Sequence, residues 1–173
     1  MKPRAIASLL SLISFGLSSH AWGAEAQLTI NLPQIEGARV KRPYVAIWLE
    51  KSGDFAGNIA VWYDVRKPNN IGATKWLPDL RSWWRVSGAD ASFPIDGVSG
   101  ATRPAGEHVL NIATSEAVKK LAPGNYEVVV EVAREHGGHE LVRLPLQWPP
   151  KAPAKADAAG KEELGAVSLS SKP

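Results

Sequence analysis

The sequence predicts a mainly β fold, an immunoglobulin-like or related β-sandwich with one short helical insertion. Three observations lead there. Several short runs alternate apolar with polar residues and are rich in β-branched and aromatic side chains, with turn residues between them. One segment instead carries the three-and-four spacing of a helix. The 173 residues include no cysteine, so the core must hold by packing alone, without disulfides or thiolate metal sites.

The chain opens with basic Met1-Lys2-Pro3-Arg4, an apolar run from Ala5 to Leu17, and the small-residue exits Ser19-His20-Ala21 and Ala24-Glu25-Ala26. Residues 1–26 are therefore expected to be a signal peptide, cut after Ala21 or Ala26, which places the mature protein in the periplasm. The apolar run is short of the ~20 residues a spanning helix needs, so the mature chain is not expected to be membrane-embedded.

Strands are expected in order. Gln27 to Leu32 alternates Leu28, Ile30 and Leu32 against Gln27, Thr29 and Asn31. Tyr44 to Leu49 is aromatic and β-branched, Lys51 to Asp54 supplies turn residues, and Asn58 to Val65 follows. Leu77 to Gly88 reads as the helix. Pro78 and Asp79 suit its first turn and Gly88 its stop, with Leu77, Leu80 and Trp84 on one face. Glu107 to Ile112 is a shorter strand. Asn125 to Arg134 and Glu140 to Trp148 flank Gly137-Gly138 as a hairpin, and Pro145 places the last strand at a sheet edge. From Pro149 on, Ala, Pro, Lys, Gly and Ser dominate, so residues 149–173 are expected to be a disordered tail and residues 27–148 the domain.

Net charge is +3, and removing residues 1–26 takes out Lys2, Arg4 and Glu25 to leave +2. No block of like charge stands out, which argues against a nucleic-acid partner. Ser99 has no G-x-S-x-G context, and no carboxylate pair is singled out by spacing, so hydrolase chemistry has no support.

One stretch does point to chemistry: Asp96-Gly97-Val98-Ser99-Gly100-Ala101-Thr102. Asp96-Gly97 is a turn signal, Gly100 and Ala101 add little bulk, and Thr102 ends the run with a hydroxyl. The expected structure is an exposed small-residue loop. The pattern Asp-x-x-Ser-Gly-Ala-Thr resembles the acceptor sequence of bacterial redox proteins that carry FMN on a threonine, among them subunits of the sodium-pumping NADH:quinone reductase and of the related electron-transport complex. The resemblance implies covalent FMN on Thr102, attachment by an FAD:protein FMN transferase, and electron exchange with a membrane redox protein. Asp96, Ser99, Gly100 and Ala101 would then form the recognised segment. Gly72-Ala73-Thr74 repeats the last three letters, but Pro68 and Ile71 replace the aspartate and serine, so Thr74 is not expected to be an acceptor.

Arg103 follows Thr102 and is a candidate partner for a phosphate, and Trp83 is a candidate wall for a flavin ring. Trp48 and Trp62 lie within strands and are expected in the core. His136 and His139 straddle the Gly-Gly turn, and a solvated turn is the preferred reading over a metal site. A second resemblance rests on Arg42 to Glu50, Lys75 to Arg81 and Arg134 to Gly138. These runs are similar to a family of predicted periplasmic proteins classed as a domain of unknown function, DUF2271. The alternative to the flavin reading is a non-enzymatic β-sandwich binding module without cofactor.

Overall fold

The computed structural model describes residues 23–36, 41–65 and 74–173. The expected export segment lies almost wholly outside them, as do Gly72 and Ala73.

The architecture is a β-sandwich. A four-stranded sheet has the order β5-β1-β9-β8, from Gly106–Asn111, Glu25–Leu32, Ala166–Lys172 and Ala154–Ala159. A five-stranded sheet has the order β4-β3-β2-β6-β7, from Ser99–Ala101, Asp54–Tyr63, Tyr44–Lys51, Gly124–Ala133 and His139–Trp148. Period-two alternation places Leu28 and Ile30 of one sheet against Val45, Ile47, Val128 and Val130 of the other, and all six are fully buried. Pro145 lies on β7, at the expected edge.

The outer face of the five-stranded sheet has its own core. Tyr44, Ala46, Trp48, Val61, Tyr63 and Val129 meet Leu77, Leu80 and Trp83 of the helical insertion. The cause is topological. β4 pairs parallel to β3, and a parallel pair needs a long crossover between its strands. Within that crossover, the described residues from Trp76 to Val98 pack over the sheet.

The insertion is not one helix. A 3₁₀ turn at Leu77–Asp79 leads into α1 at Arg81–Trp83 and then a π turn at Trp84–Gly88. This changes which face is buried. Leu77, Leu80 and Trp83 are buried at successive spacings of three, the 3₁₀ period, while Trp84 is only half-buried and stacks on Phe93.

The clearest departure is the tail. Residues 154–159 and 166–172 are strands, and β9 pairs with β1 from Glu25↔Lys172 to Ile30↔Val167. Composition misled because ladder hydrogen bonds come from the backbone, whatever the side-chain size. Val167 and Leu169 still alternate with Ser168 and Ser170, and Leu164, Val167 and Leu169 join the inter-sheet core. The same pairing bears on the export cut. Ala26 is 1% exposed inside β1, so a cut after Ala26 removes paired strand, whereas one after Ala21 spares it.

Candidate functional site

The acceptor-like segment is a turn followed by an edge strand, not a free loop. Gly97 takes φ +66°, which a side chain disfavours. Ser99 closes this turn twice: its N–H donates to Ile95 O at 2.9 Å and its hydroxyl accepts from Ile95 N–H at 2.8 Å. The extended residues then satisfy their backbone on β3. Val61 N–H donates to Val98 O, and Thr102 N–H donates to Tyr63 O at 3.0 Å. Ser99 therefore has a structural task, and Thr102 stands half-buried at the end of a three-residue strand whose outer edge has no neighbouring strand among the described residues. Asp96 and Ala101 are exposed.

Trp62 of β3 lies beneath this segment. A Cβ added to Gly100 would come 3.3 Å from Trp62 Cδ1, so the strand rests on the indole. The Arg103 guanidinium sits over the Trp62 ring at 4.8 Å, and the His108 ring meets it edge-on at 5.8 Å. Trp62 is 3% exposed, a core residue as expected, but it also floors the acceptor segment. No local sequence signal points to this second role, because it comes from the parallel pairing of Trp62 with Gly100 across a long crossover.

Trp83 does not line this site. It is fully buried, and its Nε1 donates to Asn58 Oδ1 at 2.7 Å, so it offers no wall to a surface ligand.

The second sequence cluster comes together elsewhere on the same sheet end. Glu131 is fully buried in β6 and accepts from Ser82 and Trp83 N–H at the start of α1, at 2.9 and 2.8 Å. It also meets His139 Nε2, which must donate because a carboxylate has only acceptors. His136, at φ +58°, turns the hairpin, and its ring meets Trp76 edge-on at 5.1 Å. The glycines serve close approach instead: a Cβ on Gly137 or Gly138 would come within 2.9 Å of Glu163. Glu163 is held by Arg134 Nε at 2.7 Å and Gly138 N–H at 2.8 Å, while Arg134 also donates to Lys41 O.

A cleft of about 240 Å³ lies here, lined by Trp76, Asp79, Arg81, His136 and His139 among others. Tyr44 is nearby. Burial, then the charges of Asp64, Glu135 and Asp79, push its phenol up to about 12. Among the described residues no group of three or more His, Asp or Glu is placed to hold a metal ion. Ala101 pairs with Tyr63 on β3, and Ala133 pairs with His139 on β7, so β4 and β7 end four strand spacings apart, about 19 Å. The two places are separate sites.

No helix among the described residues is long and apolar enough to cross a membrane. No curated protein and no solved structure matches the chain. The model of one family, described as a predicted periplasmic protein, matches residues 25–166. That span holds every strand except β9, of which it reaches only Ala166, and all three runs that suggested the likeness, and the chain belongs to this family of predicted periplasmic proteins, DUF2271.

Proposed function

We propose that this periplasmic protein carries FMN covalently on Thr102 and works as an electron carrier. The observation that supports the reading is the division of labour within Asp96 to Thr102. The serine hydroxyl is taken up by the turn, and the threonine stands at the end of an edge strand held by its backbone alone. An edge strand is also a form that a second protein can read by adding to it. The Thr102 hydroxyl oxygen would form a bond to the flavin-side phosphorus of FAD as the anhydride bond breaks. AMP leaves, and the hydroxyl proton goes to the transferase or solvent.

The residues present fit such a group at the attachment point. Thr102 supplies the oxygen, and Arg103 supplies a cation beside the single negative charge of a phosphodiester. Bound FMN supplies a ring that takes up and gives back electrons, while the protein sets its orientation and surroundings. A membrane redox protein is the expected electron partner, and an FAD:protein FMN transferase the attaching enzyme.

The test is co-expression with such a transferase, followed by intact mass. The wild-type chain is expected to gain one FMN and Thr102→Val none, while Thr74→Val gains it normally. A wild-type chain that gains no FMN beside an active transferase overturns the proposal. The cleft at Trp76, His136 and His139 favours a second reading, a binding module without cofactor.

A further inference from the structure

We propose that Trp62, Arg103 and His108 form a clamp, built before any flavin arrives, for a phosphodiester on Thr102. Arg103 is the phosphate-binding group, and the two rings are its support. The inference rests on the reading of Thr102 as the acceptor.

The guanidinium lies over the Trp62 ring at 4.8 Å. Stacking uses the flat face of a guanidinium, whereas its five N–H donors lie in its plane. The ring contact holds the guanidinium over Trp62, and in a flat stack its in-plane donors are left for phosphate oxygens. A free surface arginine loses side-chain entropy when it is ordered, and the contact with the indole has already removed part of that freedom.

The platform is itself held. Trp62 is 3% exposed, between Val45 on β2 and Gly100 on β4. His108 closes on its edge at an interplanar angle of 75°, and its Nε2 donates to Pro104 O at 2.8 Å. Residues 100, 103 and 104 thus each touch the Trp62–His108 unit, and Thr102 lies inside that span. The sheet explains why this indole, and not Trp83 or Trp76, meets the segment. Trp83 is buried under the insertion, and Trp76 lies at the far cleft.

The experiment uses the full chain with transferase and FAD, in the wild type and in Arg103→Gln, Arg103→Lys and His108→Ala. FMN mass is followed over time, and the phosphorus NMR signal of the attached group is recorded. Arg103→Gln is expected to gain FMN about tenfold more slowly, the scale of a lost charge-assisted hydrogen bond, and to move the phosphorus signal. Arg103→Lys restores the charge but not the planar donor edge, so it should recover part of the rate and little of the signal position. His108→Ala should change both in the same direction by less. The melting temperature without flavin should stay near the wild-type value in the two Arg103 variants. Equal rates and superimposable phosphorus spectra for wild type and Arg103→Gln overturn the clamp and leave the acceptor standing. A wild type that gains no FMN overturns the acceptor, and the clamp with it.

Discussion

Two short motifs at one end of the five-stranded sheet have opposite relations to the fold. Around Arg134 to His139, residues that look like chemistry are structural. Arg134 is an ion-pair partner of Glu163 at 2.7 Å with both side chains buried, and His139 meets a carboxylate that also holds two main-chain N–H groups. Around Asp96 to Thr102, the residues look like a plain small-residue turn, and Thr102 contributes only its backbone to the hydrogen bond that holds it on β3. Arg134 and His139 spend their hydrogen bonds inside the fold, while His136 stays exposed beside the cleft. The second motif closes its own turn through Ser99 and holds Thr102 on β3 through a main-chain N–H.

The sharpest way to break this comparison is to remove what the first motif holds. Truncation after Pro150 takes away β8 and β9, and β9 lies between β1 and β8 in the four-stranded sheet. The truncated chain is expected not to fold, read as loss of the cooperative thermal transition. A melting temperature close to that of the full chain would show that the tail is dispensable.

Next in size is Glu163→Ala. It leaves the Arg134 guanidinium buried without its carboxylate and should cost about 3–5 kcal/mol in denaturant unfolding. The matching change in the second motif, Thr102→Val, should move stability by less than about 0.5 kcal/mol while abolishing FMN attachment. If both variants lose equal stability, the contrast between the motifs fails.

Two smaller effects sharpen the first region through pH. Tyr44 keeps its proton in the folded state up to about 12, whereas an unfolded tyrosine loses it near 10.0. The unfolded chain therefore binds fewer protons between those values, and stability falls as pH rises from about 10 to about 12. Tyr44→Phe should flatten that fall in melting temperature, and an unchanged slope would assign it to other groups. Glu140 works at the other end of the scale. Its partial burial pushes the carboxyl up, but N–H donors of Glu162, Lys161, Leu164 and Glu163 outweigh this and hold it below its usual value. It contributes stability above the unfolded value of 4.5 that is lost as pH falls below it, so Glu140→Gln should reduce the acid-side loss.

The strands from Gln27 to Trp148, β4 excepted, were legible because alternation and burial share one cause: a side chain every second residue faces the core. Leu28, Ile30, Val128 and Val130 all obey it. The insertion was legible as helical but not in phase. Its turns tighten and then widen, and that exchanges Trp84 for Trp83 on the buried face. The last two strands were not legible, because Ala, Ser and Gly carry little apolar signal and the pairing of β9 with β1 is a backbone event between segments far apart in sequence.

The sequence by itself determined the sandwich class, the hairpin at Gly137-Gly138, the edge position of Pro145 and the place of the acceptor pattern in the chain. Each follows from local chemistry: alternation, turn residues, a missing N–H and a string of residue types. Only the tertiary structure decided which polar groups were occupied. It buried Trp83, paired Arg134 with a residue of the tail, and brought Trp62 and His108 under Arg103. Those contacts join residues separated by long stretches of chain, and no local pattern encodes them, because they exist only once the sheets and their crossover have packed.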